Sequence, residues 1–383
     1  MSGHSIARRR WMAFKANRRA YISFVLFAFF FVMSLFSEFI ANDRPIVFEL
    51  NGEIHSPIFE TLTEKDLGGS MDLVVDYRDE YTDELLADAK FVIWPPVHHS
   101  FRSISDSAAQ FPAPPSAENW LGTDDQGRDI FARLLYGFRL STLFGLCLAF
   151  VSSVVGIGAG LIQGYYGGWI DLIAQRLMEI WAGMPVLYLI IILSSLITMN
   201  FWILLAILLL FSWMRLVGLV RAETLRVRNL DYVRAARALG CSDWRIMTTH
   251  ILPNALVAVV AMLPFVVNGS IASLTSLDFL GFGLPPEYPS LGEIIAQGKN
   301  NLYAPWIGLS SFLTLALLLI SLVFIGEGMR DAFDPRVFYA EKPVNIDDDE
   351  LSVTEKGDLE EKASAQSIHS RASSEEKASE DQR

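Results

Sequence analysis

Several runs of about twenty residues carry almost no charge, and no other feature limits the possible folds so strongly. A hydrocarbon interior offers no water to backbone N–H and C=O groups. A segment that crosses it must close those hydrogen bonds within itself, as a helix does. The runs fall near 21–41, 138–163, 172–198, 200–219, 252–277 and 306–325. With 52% of its 383 residues hydrophobic, the chain reads as an all-α polytopic membrane protein with six transmembrane helices. Six crossings put both termini on one side of the bilayer.

Charge indicates which side. Arg8, Arg9, Arg10, Lys15, Arg18 and Arg19 precede the first run, and Arg221, Arg226, Arg228, Arg234, Arg237 and Arg245 crowd the loop before the fifth. Basic loops are retained in the cytoplasm, so both termini and the 221–251 loop are expected there. Residues 1–20 form the cytoplasmic basic N-terminus. The run at 21–41 is full length and has no small-residue cleavage site, so it is read as an uncleaved first helix. A twin-arginine export signal at Arg8–Arg9 is the weaker reading. The net charge of −12 is uneven: 42–120 hold 15 acids and 5 bases, and 341–383 hold 13 acids and 6 bases.

Residues 42–135 are too long for a loop and are expected to form a small periplasmic α/β insertion between helices 1 and 2. IVFEL followed by Asn51–Gly52 is a strand and hairpin signal. LGGSMDLVVDYRDEY and KFVIWPPVHHS suggest further strands and turns, while FPAPPSAENW has too many prolines for a helix. His98–His99 reads as a surface pair rather than a metal site, because adjacent histidines on a strand do not both face one ion. Residues 136–330 make up the transmembrane domain. The cytoplasmic C-terminus, 331–383, becomes from about 341 an acidic tail without aromatics, expected to be disordered. Cys147 and Cys241 are expected near opposite faces, with no disulfide between them.

Within the membrane domain, Arg176 and Glu179 stand one turn apart and are expected to form a structural or gating ion pair. Pro185 is expected to kink the third helix, and Arg215 is placed near the cytoplasmic end of the fourth. In NWLGTDDQGRDIFARLLYGFRLS (119–141), Asp124, Arg128 and Asp129 are spaced to staple a turn. No GxxxxGK[ST] phosphate loop occurs in the chain, so any ATPase must be another polypeptide.

The polar island DYVRAARALGCSDWRIMTTHILP (231–253) separates two apolar runs. Asn229 or Asp231 can cap a first short helix, Gly240 can end it at positive φ, and Ser242 can cap a second short helix over 243–250. A helix–turn–helix DNA reader would need a supporting domain for which the loop has no room, and the chain is acidic. Ala235–Ala236, Gly240 and Leu252–Pro253 resemble the EAA loop of ATP-binding-cassette (ABC) import permeases, although Arg234 stands at the usual Glu and His250 at a common Ile. Leu121, Gly122, Thr123, Asp124, Gly127, Arg128 and Asp129 resemble the LGTD–GRD signature of oligopeptide and dipeptide permeases. The large insertion before that signature is most similar to the Yej-type branch, which takes up oligopeptides and microcin C.

The resemblance implies a type I importer permease fold and a subunit with no catalytic residue, metal or cofactor, ATP and Mg being bound by a separate ATPase. It implies an ATPase-docking coupling helix at Tyr232, Arg234, Ala235, Ala236, Ala238, Leu239, Gly240 and Asp243. It also implies an outer loop near substrate at Phe279, Gly281, Phe282, Gly283 and Pro285. The implied partners are a homologous second permease, a cytoplasmic ABC ATPase, a periplasmic peptide-binding protein, a peptide substrate and the bilayer, with no nucleic acid. Peptide import by alternating access across the bacterial inner membrane follows as the expected function. A dipeptide or nickel permease, or an ion-driven secondary transporter, is the alternative.

Overall fold

The computed structural model describes residues 6–105 and 110–333. The acidic tail expected from 341 lies outside the described residues, as does the end of GEGMRDAFDPR.

The N-terminal arginines lie on or beside helix. Helix α1 (Ile6–Ala16) precedes α2 (Arg18–Leu35), which Asn17 caps by accepting from the Ala20 N–H, and a short turn of helix follows at α3 (Ser37–Ile40). The first span is therefore shorter than 21–41 at its far end, because the chain breaks at Phe36. The insertion then forms a three-stranded antiparallel sheet, ordered β2 (Glu53–His55), β1 (Val47–Leu50), β3 (Phe91–Ile93). The β1–β2 turn is Asn51–Gly52, both at positive φ, as a tight hairpin of this twist requires. Phe48, Leu50, Leu67, Val75 and Tyr77 form its small core. Between 67 and 81 the expected strands are replaced by one isolated bridge, Thr63 to Val74, and α4 (Glu80–Leu85) starts where Asp79 caps it. Capping chemistry at Asp79 outweighs the strand-like run before it.

Helix α5 (Ile130–Tyr166) begins well before 138, because Asp129 caps it through the Ala132 N–H, so the bundle takes in 130–135. Gly167 and Gly168, both at positive φ, turn the chain into α6 (Gly168–Ala182). After a 62° bend at Gly183–Pro185 comes α7 (Val186–Leu196), so Pro185 marks a broken span. Helices α8 (Phe201–Ser212) and α9 (Met214–Val227) together make a span of 27 residues. The fourth run thus extends past 219, and its arginines at 221 and 226 lie on helix rather than in the loop.

The loop carries α10 (Asp231–Ala238). Beyond it, α11 (Asp243–Arg245), a π-helical turn (Ile246–Ile251) and α12 (Leu252–Phe279) form one uninterrupted span. The expected separate second helix is absent: the π-helical turn Ile246–Ile251 lies just ahead of Pro253, and its wider turn carries the helix past a residue that has no N–H to donate. The side-chain caps expected here are absent as well. Leu230 and Ser242 occupy the cap positions without a side-chain bond, and the Asn229 amide donates to the Leu225 carbonyl. Helices α13 (Leu291–Asn300) and α14 (Pro305–Phe333) complete the fold. Five helices among the described residues are long and apolar enough to cross a membrane, and the bent α6–α7 pair makes a sixth.

Small residues let the helices approach. A Cβ on Gly160 would lie 2.7 Å from the Val220 Cβ and 2.9 Å from the Val217 carbonyl, whereas one on Gly158 meets nothing within 4 Å. Overpacking of that kind costs about 1–3 kcal/mol. Gly160→Ala should lower the melting temperature of the purified protein in detergent, and Gly158→Ala should leave it unchanged or slightly raised. Equal melting temperatures for the two variants would contradict the α5–α9 packing described here.

Candidate functional site

Two regions hold the residues that the sequence singles out. The first is the tip of the basic loop. Helix α10 ends at Gly240, whose φ of +82° lets its N–H bond the Arg237 carbonyl at 3.0 Å while the Cys241 N–H bonds the Ala236 carbonyl at 3.1 Å. This is a Schellman closure, and a Gly at that position is its sequence signal. Val233 and Ala236 turn inward and are buried, so Ala236 belongs to the inner face of the helix. Tyr232, Arg234, Ala235, Ala238, Leu239, Gly240 and Asp243 are exposed. Leu239 is 85% exposed and Trp244, which the sequence reading passed over, is 73% exposed. Two large apolar side chains standing open beside a flat Ala/Gly surface have the character of a docking site.

The tip is fastened to the bundle. The Tyr165 hydroxyl, at the end of α5, donates to Asp243 Oδ1 at 2.5 Å, and the Arg237 guanidinium lies 5.2 Å over the Tyr165 ring. Arg228 donates to the carbonyls of Gly164 and Tyr165 at 2.8 and 3.0 Å. Arg221 grips Asp171 with two bonds of 2.5 and 2.6 Å, tying α9 to α6. On the other side of the loop, the Asn254 amide donates to the Tyr232 hydroxyl at 3.1 Å. Short polar contacts thus join the tip to α5, α9 and α12.

The second region lies at the opposite ends of these helices. Asp124 accepts from the backbone N–H groups of Gln126 and Arg128 at 2.9 and 2.8 Å and from Arg128 Nε at 2.7 Å. Asp129 accepts from Asn119 at 2.9 Å as well as from the first turn of α5. Gly122 is at φ +77°, and a Cβ there would collide with the Ala113 carbonyl and the Trp306 ring. Leu121 packs partly buried against the main core, and Thr123 pairs with Ala113 and accepts from the Trp306 indole at 3.4 Å. Gly127, at φ +81°, sits against Phe111 and Ile104. The stapled turn then reaches across the molecule: Arg128 donates to the Pro286 carbonyl at 2.9 Å, and buried Arg133 pairs with Glu293 of α13. Arg133 and Glu293 are site residues that the sequence reading missed.

The outer loop closes α12 in the same manner as Gly240 closes α10, with Gly281 at φ +80° and the Phe282 N–H bonding the Leu277 carbonyl at 3.0 Å. Buried Asp278, also passed over in the sequence, holds the loop by accepting from the Leu284 N–H at 2.7 Å and the Ser290 hydroxyl at 2.5 Å. Gly281, Phe282, Gly283 and Pro285 line a cleft of about 400 Å³ with Asp278, Glu293 and residues 194–199. Phe279 does not line it; its ring lies under Lys299 at 5.3 Å. Arg176 and Glu179 meet at 2.5 Å, and both are exposed on α6.

Burial, the largest influence, pushes the Glu293 carboxyl above its usual value, while Arg133 and Arg128 pull it back. The folded state then binds that proton better than the unfolded chain does. The stabilisation it provides is complete at low pH and is lost as pH rises through the raised value. Gln does not titrate and stands in for the protonated carboxyl, so the melting temperature of the wild type should fall relative to that of Glu293→Gln as pH rises from about 4 to 8. Arg133→Met removes one partner of a buried pair and should cost about 3–5 kcal/mol, read as a loss of thermal stability in detergent. A wild type that gained stability on Glu293→Gln as pH rose, or an Arg133→Met protein as stable as wild type, would contradict this network.

A model of the binding-protein-dependent transport system inner membrane component family matches residues 156–339, and one of the N-terminal transmembrane domain of oligopeptide transport permease C matches residues 5–52. The chain is 50% identical over 354 residues to the peptidoglycan transport system permease protein YejE of Agrobacterium fabrum, covering 86% of this chain and 93% of that protein. It is 54% identical over 327 residues to the inner membrane ABC transporter permease protein YejE of Escherichia coli, covering 85% and 96%. The glutathione transport system permease protein GsiD of Pectobacterium atrosepticum is 33% identical over 224 residues, covering 58% and 74%.

Proposed function

The chain belongs to the binding-protein-dependent inner-membrane permeases of peptide ABC transporters, and from that premise we propose that it imports peptides by alternating access. It is a multi-pass transport component rather than an enzyme. The observation that carries the mechanism is the open apolar tip at Leu239, Gly240 and Trp244, clamped to α5 and continuous with α12. A cytoplasmic ATPase that presses on this tip when it binds ATP transmits its closure into the bundle. The bundle then shifts between populations open to either side, as any ligand with unequal affinity for two states makes it do. The six arginines at 221–245 support a cytoplasmic tip and cytoplasmic termini.

Six spans form half of a peptide-sized path, which calls for a homologous second permease to supply the other half. A periplasmic binding protein delivers substrate at the outer cleft, where Asp278 and the stapled LGTD–GRD turn hold the walls. Peptides, microcin C-like ones among them, are the proposed substrate class, and the printed name of the Agrobacterium fabrum relative adds peptidoglycan as a source of substrate.

Gly240→Arg should abolish ATP-dependent peptide uptake in cells while leaving the subunit in the membrane at the normal level. Gly240→Asn, which tolerates positive φ, should retain most of it. Normal uptake by Gly240→Arg would remove the docking surface from the account. Uptake that followed the proton gradient and ignored ATP would remove the ABC mechanism altogether.

A further inference from the structure

The 27-residue span Phe201–Val227 places Arg215 near its middle, not near its cytoplasmic end. Elsewhere on the spans, Arg139, Arg176, Arg221 and Arg226 each meet a carboxylate. Among the described residues, none lies within hydrogen-bond or ion-pair distance of Arg215. A cation in the middle of a span is costly and marks a functional position.

Arg215 is exposed in the single chain and lines a cleft of about 220 Å³ that α5, α7, α8 and α12 also wall. A single turn residue in helical conformation, Trp213, separates α8 from α9. The guanidinium lies against the α12 backbone, where a Cβ on Gly269 would come within 2.2 Å of Nη1. On the same cleft, the Ser212 hydroxyl is buried and has no partner. Ser270 and Ser273 add polar surface, their hydroxyls donating to the Val266 and Gly269 carbonyls at 2.9 and 2.8 Å.

We infer that Arg215, with Ser212, binds the C-terminal carboxylate of the transported peptide. This rests on the peptide-permease reading above. A guanidinium presents a planar fork of donors and no acceptor, and a carboxylate answers it with two oxygens. The unpaired Ser212 hydroxyl supplies a further donor. Every linear peptide ends in that group whatever its side chains, so a single recognition point in the path serves a permease that takes many sequences. A carboxylate from the second permease would satisfy the same chemistry, and the test separates the two.

The experiment compares uptake of a mixed pool of tri- to hexapeptides, made once as free acids and once as C-terminal amides, by cells carrying the complete transporter. Wild type should take up the acids faster than the amides. Arg215→Gln should slow acid uptake about tenfold, the scale of one hydrogen bond to a charged group, and leave amide uptake unchanged. Arg215→Lys should fall between them, since it keeps the charge but loses the fork. Gly269→Ala, with Arg215 intact, should reproduce the acid-selective loss by displacing the guanidinium. This variant also decides the matter if Arg215→Gln fails to accumulate. Acid and amide uptake falling together in the variants would assign Arg215 to the second permease or to the bundle and overturn the inference. Wild type handling both pools equally would overturn carboxylate recognition alone, and wild type taking up neither would overturn the peptide reading beneath it.

Discussion

The coupling proposed for this chain depends on an unbroken helical path from a polar loop into an apolar bundle. Asp243–Phe279 runs from the exposed tip to the outer loop without a break, and only a π-helical turn at Ile246–Ile251 adjusts its phase. A helix is stiff along its axis because each turn is hydrogen-bonded to the next, and inside a bilayer those bonds have no competitor. A load of the kind proposed above would enter this helix at Asp243, just past Gly240, and the same helix carries Asp278 at its far end. The Tyr165–Asp243 and Arg228–Gly164 bonds add a second path through α5.

The two ends of the bundle solve the same problem by different means. At the loop end, charges are only partly buried and pair across short distances, as Arg221 does with Asp171. Such contacts can be remade as helices shift. At the outer end, Arg133 and Asp124 are fully buried, and Glu293 is nearly so. Removing one partner there strands a charge in a dry place, so the network favours a fixed geometry over adjustment. A rigid wall at one end and a movable linkage at the other suit the alternating access proposed above.

Local chemistry was legible in the sequence and distant pairing was not. The hairpin at Asn51–Gly52, the bend at Pro185 and the cap at Gly240 each follow from one residue's backbone preference. Arg133 and Glu293 lie 160 positions apart, and no spacing rule links them before the fold does. Arg215 looked peripheral because the arginines at 221 and 226 seemed to end the apolar run; the helix instead carries them on to Val227 with carboxylate partners. Ala236 was placed on the docking face by the resemblance to the EAA loop, but the helical phase set by buried Val233 turns it inward.

In the mechanism proposed above, an ATPase pushes on the Leu239–Gly240 tip. A photo-crosslinking amino acid placed at Leu239 of the full-length chain, activated in intact membranes, tests it most directly. The account predicts a single prominent adduct with a cytoplasmic ATPase subunit, diminished when Gly240→Arg is present in the same chain. Adducts confined to lipid or to an extracytoplasmic protein would contradict both the docking role and the assigned orientation.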